Sequence, residues 1–272
     1  MEDIPAPDFK PQGHYKDERL FSVSKNWKKY LFEFLMLFLA VFLGFVAENL
    51  REGYTEEKQA KELAKSLYEE LRNDSVAVVS KIQGRLKKER AIRYMVNFFR
   101  DSSLHSSSKA LSVNFIWAIT ARTPIIFTPR TVVLEQLKSS GALQYFRNQK
   151  LEKSIGELSV AINYIMERQA YENSVFENYM EPIMTKHMDY DFQFELFKDG
   201  VIFDRLSNYE NNQEYIPFHL SQIEKVDRQS IINALGYYHT NTLLSTRLIA
   251  FNTYVQVNAE LLKELRKEYD LK

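Results

Sequence analysis

The sequence predicts an all-α protein: one N-terminal transmembrane helix, then an antiparallel bundle of long helices with an irregular, aromatic-rich insertion. Three observations lead there. An apolar run long enough to cross lipid lies at residues 30–47. Apolar residues then recur at helical spacing over long stretches of the chain. Glycine is sparse, at 8 of 272 residues, beside 19 Phe and 16 Tyr, a balance that suits long helices better than turn-rich sheets. The expected divisions are a cytoplasmic tail at 1–25, disordered or held by a partner, a transmembrane helix at 26–50, and a helical soluble domain at 51–272.

The chain is long enough to bury a sizeable core. Its 36 basic and 36 acidic residues cancel, so no overall field recruits nucleic acid or an acidic substrate. The absence of cysteine removes disulfides, thiolate metal sites and thiol nucleophiles together, and it suits an oxidising compartment such as a periplasm.

The apolar run, Tyr30 to Ala47, reads YLFEFLMLFLAVFLGFVA, with Glu33 as its one charge. Its eighteen residues at about 1.5 Å each reach about 27 Å, enough for the hydrocarbon core of a bilayer. A buried core helix is the alternative, but no face of this run is polar enough to meet water. A cleavable signal peptide is another, but 29 residues precede the run and Phe45 stands where cleavage after Ala47 needs a small side chain. A retained signal-anchor is the expectation. Lys16, Arg19, Lys25, Lys28 and Lys29 precede it, with Trp27, Lys28, Lys29 and Tyr30 as interfacial anchors. Arg51, Lys58, Lys61 and Lys65 follow it, interleaved with Glu48, Glu52, Glu56 and Glu57. Acidic residues count for little in the positive-inside rule, so the bias is modest and favours a cytoplasmic N-terminus with an exported C-terminal domain. The expected location is the inner membrane, crossed once.

At 100° per residue, Glu33, Leu37, Ala40, Gly44, Ala47 and Glu48 share one face, and Phe34, Phe38, Phe42 and Phe45 share the other. Ala40 and Gly44 form a small-xxx-small pair, the spacing that lets two helix backbones approach closely. A carboxylate at position 33 is costly in lipid unless it snorkels, is protonated or meets a partner. Two accounts stand: Glu33 reaches the headgroups near Lys28 and Lys29, or its face packs on another membrane helix, a second copy or a different subunit.

Beyond the membrane, Tyr54 to about Arg100 reads as a long amphipathic helix or two joined ones. Leu63, Leu67 and Leu71 are followed by Val78, Ile82, Leu86, Ile92, Val96 and Phe99. Only Gly53 interrupts the approach from the membrane span. Ser102 to Lys109 reads as a polar connection, and Asn114 to Ala121 as a short helix. Thr128-Pro129 has the form of a helix start, with Thr as N-cap and Pro in the first turn. That helix stops at Gly141. Asn148 starts another, with Leu151, Ile155, Leu158, Ile162, Ile165 and Met166 on its apolar side, which Pro182 bends or ends. Residues 189–217 are the least regular, with a candidate hairpin around Lys198-Asp199-Gly200. From Asp227 to about Tyr269 one last helix carries Ile231, Leu235, Tyr238, Leu244, Leu248, Phe251, Val255, Leu262 and Leu265. Long helices with few loops pack naturally as an antiparallel bundle.

Two phrases, FEFLMLFLAVFLGFVAENLRE with AKELAKSLYEELRNDS and LKSSGALQYFRNQKLEKSI, carry a resemblance over roughly a third of the chain. The chain resembles a group of uncharacterised single-pass membrane proteins common in the Bacteroidota. The resemblance implies a membrane anchor with an exported helical domain and no particular activity. The Phe-rich membrane helix and the longer N-terminal tail depart from the usual pattern of that group.

The search for chemistry is thin. His14, His105, His187, His219 and His239 never pair at a zinc-like spacing, and HExxH is absent. His187-Met-Asp189-Tyr-Asp191 is the densest ligand-like stretch, but a calcium loop also needs a glycine turn and a bidentate Glu that do not follow, so a solvated loop is expected. No phosphate loop, GxSxG elbow or kinase set is present. Glu69 and Glu70 read as solvated, Tyr237 and Tyr238 as packing, and Arg122 and Arg130 as a weak candidate grip on an anion. No catalytic, cofactor or metal residue is expected. The function classes are then a non-catalytic accessory or scaffold subunit of a membrane complex, and a single-pass sensory or ligand-binding protein. The sensory class is weakened because 29 residues before the membrane are too few for an output domain. Membrane lipid and another membrane subunit, or a second copy, are the expected partners; any small-molecule ligand is left open.

Overall fold

The computed structural model describes residues 27–146, 148–198, 200 and 202–271. The expectations for the tail at 1–25 lie outside the described residues. All regular structure among the described residues is helical, with no strand. Helix α1 is Trp27–Asp101, and Gly53 lies inside it. The chain divides into two units, one ending at Glu56 and one beginning at Glu57.

In the first unit every residue from Trp27 to Leu50 is exposed. Its most apolar window has a mean hydropathy of 2.3 and is 0 % buried, and among the described residues this is the one helix long and apolar enough to cross a membrane. A core helix of that composition would be mostly covered.

In the second unit the buried side of α1 runs through Leu67, Leu71, Asp74, Val78, Arg85, Lys88, Ile92, Met95 and Phe99. These positions step by three and four, with one step of seven, which is the seam of a helix buried along one side. The expected stripe passed through Ile82 and Leu86 instead; both are only half-buried. Helix α2, Lys109–Phe115, begins earlier than the expected 114–121 because Ser108 caps it at Leu111 N. A π turn, Ile116–Thr120, follows.

Helix α3, Val132–Ser139, starts after Thr131, not at the expected Thr128-Pro129. Asp74 accepts the Arg130 backbone N–H at 2.8 Å and so holds that residue outside the helix. The cap expected from Thr128 comes from a different helix: Glu70 on α1 accepts Val133 N–H at 3.3 Å. Glu70 is therefore not a merely solvated carboxylate. Gly141, at φ +70°, lies just past the end of α3 as expected.

Helix α4, Gln149–Val175, is capped by Asn148, as the sequence indicates. A π turn at Phe176–Met180 leads into α5, Glu181–His187. Pro182 does not end the run, because it falls in the first turn of α5, where its missing N–H costs little. The candidate hairpin is replaced by two helices, α6 at Tyr190–Phe197 and α7 at Ile202–Asn211. Asp189 caps α6 at Phe192 N, and Phe192, Leu196, Leu206 and Tyr209 then fall at helical spacing on the core. Phe192 lies 6.0 Å from Tyr209 and 5.2 Å from Phe218, so this aromatic-rich segment is core and not an irregular loop.

The last run opens at the Asp227 cap with α8, Arg228–Tyr237, passes through π turns at Tyr238–Leu244 and Thr246–Phe251, and ends as α9, Asn252–Tyr269. Tyr238, Thr242, Thr246, Ala250, Tyr254 and Asn258 are all buried, one every fourth residue. In a pure α-helix such a stripe would drift about 40° per step, or about 200° over the five steps. The π turns hold more residues per turn and absorb the drift. Leu244 is therefore only half-buried and Leu248 is exposed, where α-helical spacing had placed both on the core.

Two apolar clusters result. One gathers Leu67, Leu71, Val78, Leu151, Ile155, Leu158, Phe251 and Leu261; the other gathers Ile92, Phe99, Phe115, Val175, Phe176, Phe218, Leu235 and Leu243. From N- to C-terminus, α1 and α4 pass from the first to the second, and the run from α8 to α9 passes back.

Gly84 faces the segment after α2: a Cβ there would run into the Pro124 carbonyl. Gly84→Ala is expected to lower stability by about 1–3 kcal/mol, although alanine is the better helix former. Gly156→Ala on α4, with nothing within 4 Å, is expected to gain about 0.5–1 kcal/mol. Chemical denaturation of the two variants side by side reads the difference.

Candidate functional site

Between the two apolar clusters all three long runs turn polar at the same level. Helix α1 contributes Arg85, Lys88 and Glu89, α4 contributes Gln169 and Glu172, and the last run contributes Thr242, Thr246 and Arg247. Arg85 is fully buried and pairs with Glu172 at 2.9 Å; their side chains are 0 % and 6 % exposed. Tyr238 donates to the other Glu172 oxygen at 3.4 Å. Glu89 holds Arg247 with two bonds, 2.6 Å from Nε and 2.9 Å from Nη2. Lys88 Nζ lies 5.2 Å from the Phe176 ring centre and 5.1 Å from that of Tyr238. Charges buried at this depth persist only when paired and hydrogen-bonded.

The belt also anchors the non-helical chain between α2 and α3. Lys88 donates to the Ala121 carbonyl at 2.6 Å, Lys81 to Thr123 at 2.9 Å, and Arg85 Nε to Ile125 at 3.0 Å. The Gln169 side chain pairs with both the N–H and the carbonyl of Phe127, each at 2.8 Å. At Arg130, Asp74 takes the backbone N–H and, at 2.6 Å, the guanidinium; it also accepts from Tyr254 at 2.9 Å. Backbone groups at 121, 123, 125, 127 and 130 are thus met by side chains, not by another backbone.

Burial pushes the Lys88 ammonium down to about 7; Glu172 pulls it back, and Arg85 and Arg122 push it further down. Burial likewise raises Tyr238, Tyr254 and, to about 12, Tyr269. His239 is lowered, also chiefly by burial.

The residues expected on the membrane-packing face and at its interfacial end are all exposed, and no other described element of the chain covers them. Glu33 lies 3.9 Å from Lys29, and Glu48 2.7 Å from Arg51. Around Gly44 nothing stands within 4 Å of a built Cβ, and Leu37, Ala40, Ala47, Trp27, Lys28 and Tyr30 are open. His187 bonds the Ser221 carbonyl at 3.0 Å, and Asp189 caps α6 while accepting His219 N–H, so these side chains serve the local backbone. Arg122 and Arg130 are engaged separately, Arg122 over Phe176 at 4.8 Å and Arg130 by Asp74. Tyr238 is core, while Tyr237 is exposed and bonds Tyr171 at 2.9 Å. Sequence reasoning missed Arg85, Lys88, Glu89, Glu172 and Asp74. Continuing the three-and-four spacing of Leu67 and Leu71 would have found Asp74, Arg85 and Lys88.

A separate cleft of about 480 Å³ opens where α5 faces α8. Lys186, Lys225, Asn178, Asn233, Tyr179 and Tyr237 line it. No protein family matches the chain, and no curated protein or solved structure shows significant similarity to it.

A lysine whose folded value lies below its unfolded value binds more protons unfolded, so stability rises with pH between the two. Lys88 therefore adds stability from about pH 7 toward 10, at no more than about 1.4 kcal/mol per pH unit. Above about pH 10 the raised tyrosines reverse the trend. Denaturant melts from pH 7.5 to 9.5 are expected to show the rise in the wild type and a flat line in Lys88→Met.

Proposed function

We propose that this chain is a membrane-anchored, non-catalytic accessory or scaffold subunit. Its apolar helix packs against another membrane helix, and its helical domain meets a partner in the periplasm. The supporting observation is the complete exposure of Trp27 to Leu50 over a run with mean hydropathy 2.3. Such a surface is costly in water and comfortable in lipid. The face of Glu33, Leu37, Ala40, Gly44, Ala47 and Glu48 is the docking side, where small residues allow close approach. The basic residues before Tyr30 set the N-terminus in the cytoplasm. The domain beyond is an antiparallel bundle in which α6 and α7 form the aromatic-rich insertion. A non-catalytic role fits the belt: Asp74, Arg85, Glu89, Glu172 and Arg247 spend their charges on one another and on backbone groups.

A sensory or ligand-binding role is the second candidate, favoured by the 480 Å³ cleft with its two lysines and two tyrosines. The two roles separate by experiment. A subunit co-purifies in mild detergent with a defined partner, whereas a sensor gains thermal stability with a small ligand. The anchor is tested first: the full chain is expected to pellet after alkaline carbonate washing, and its recovery in the supernatant defeats the proposal. Gly44→Leu is then expected to leave insertion intact and abolish co-purification; undiminished recovery of the partner counts against the packing face.

A further inference from the structure

A small cavity of about 20 Å³ lies inside the polar belt, bordered by Arg85, Arg122, Gln169, Glu172, Phe176 and Tyr238 among others. It has room for one water-sized sphere. Arg85 is 0 % exposed, and its bonds are accounted for at Nε, to Ile125, and at Nη1, to Glu172. Its third nitrogen, Nη2, is buried without a protein partner. The Phe251 ring lies 4.2 Å from the guanidinium carbon and takes part of the charge, but a ring is only a weak hydrogen-bond acceptor. A buried donor left unmade is costly, so a group that accepts from Nη2 is favoured.

The charge around the cavity shows which acceptor fits. Its ionised borders are two guanidiniums, Arg85 and Arg122, against one carboxylate, Glu172. That carboxylate is already bonded by Arg85 Nη1 and Tyr238. The border thus carries one positive charge in surplus, shared between the fully buried Arg85 and the half-buried Arg122. Lys88, beside them on α1, is a third basic group, and Glu172, Arg85 and Arg122 all act on it. Gln169 is committed to Phe127 and does not compete for Nη2.

We propose that this cavity binds a single small monovalent anion, chloride in the cell, held by Arg85 Nη2 and Arg122. A single negative charge matches the single positive surplus, which a sulfate dianion exceeds. The anion neutralises the surplus charge and satisfies the orphaned donor, so it stabilises the belt.

Bromide is the probe. In crystals of the detergent-solubilised full chain grown in bromide, an anomalous peak is expected within hydrogen-bond distance of Arg85 Nη2. In solution, bromide in place of gluconate at matched ionic strength is expected to raise the thermal midpoint by about 3–6 °C per tenfold concentration above the dissociation constant. Arg122→Gln changes a partly exposed residue, keeps the fold and is expected to remove that dependence. Equal midpoints in bromide and gluconate, with no peak at Nη2, would show water there and overturn the proposal. So would a bromide dependence that survives Arg122→Gln.

Discussion

The fold of the second unit depends on one requirement: the chain from Ala121 to Arg130, whose residues 121, 125, 127 and 129 are buried against the helices, must keep its backbone hydrogen bonds. No strand is present among the described residues to pair with it. Its carbonyls at 121, 123 and 125 are met by Lys88, Lys81 and Arg85, all from α1. Phe127 is met by Gln169 of α4, and Arg130 by Asp74. An unpaired buried backbone group costs about 1–3 kcal/mol, so leaving several unmade would exceed the stability of an ordinary domain. Cationic donors bring their own desolvation cost, which the Glu172 and Glu89 carboxylates offset. Gly84 belongs to the same solution, because the segment approaches α1 too closely there for a side chain.

That requirement explains why charged residues occupy core positions of α1. Positions 74, 85 and 88 continue the seam of Leu67, Leu71 and Val78, where an apolar side chain would pack more cheaply. Replacing buried ion pairs by apolar groups is often neutral or stabilising, so the belt is poorly explained as a source of stability. It is better explained as a register device. Apolar contacts on either side are non-directional, whereas the bonds of Arg85 with Glu172, Glu89 with Arg247 and Asp74 with Tyr254 are each made in one alignment. The π turns serve the same end, since without them Thr242, Thr246 and Ala250 would rotate away from the core that Tyr238 and Asn258 also face.

Local chemistry was legible in the sequence. Asn148 and Asp227 start helices, Gly141 follows the end of one, and the apolar run at 30–47 stands out by length alone. These signals act over a few residues. What was not legible depends on distant partners. Thr128-Pro129 has the composition of a helix start, yet Asp74, fifty-six positions away, holds Arg130 outside the helix and Glu70 supplies the cap. The region 189–217 is rich in Asp and Asn, which signal turns, but Asp189 spends its side chain as a cap and Phe192 beside it meets Phe218, which in turn meets Phe115. The stripe of the last run was misplaced at Leu244 and Leu248, because a helical period of 3.6 was assumed where π turns apply, while Phe251 and Leu265 are buried as expected.

Within α1 the ordinary rule of burial is inverted twice. From Phe34 to Ala47 every residue is apolar and every one is exposed; at Asp74, Arg85, Lys88 and Glu89 the side chains are charged and buried. The second inversion is compensated by eight hydrogen bonds to carboxylate, guanidinium, hydroxyl and backbone groups. The first has none from protein, since even Gly44 meets no atom within 4 Å of a built Cβ. Apolar surface gains its free energy only by leaving water. As the proposed anchor, this run would be compensated by lipid, by a second helix in lipid, or by both. Under the proposed packing, the small residues at 40 and 44, on the face opposite Phe38 and Phe42, would meet a neighbouring helix while the phenylalanines would face the acyl chains.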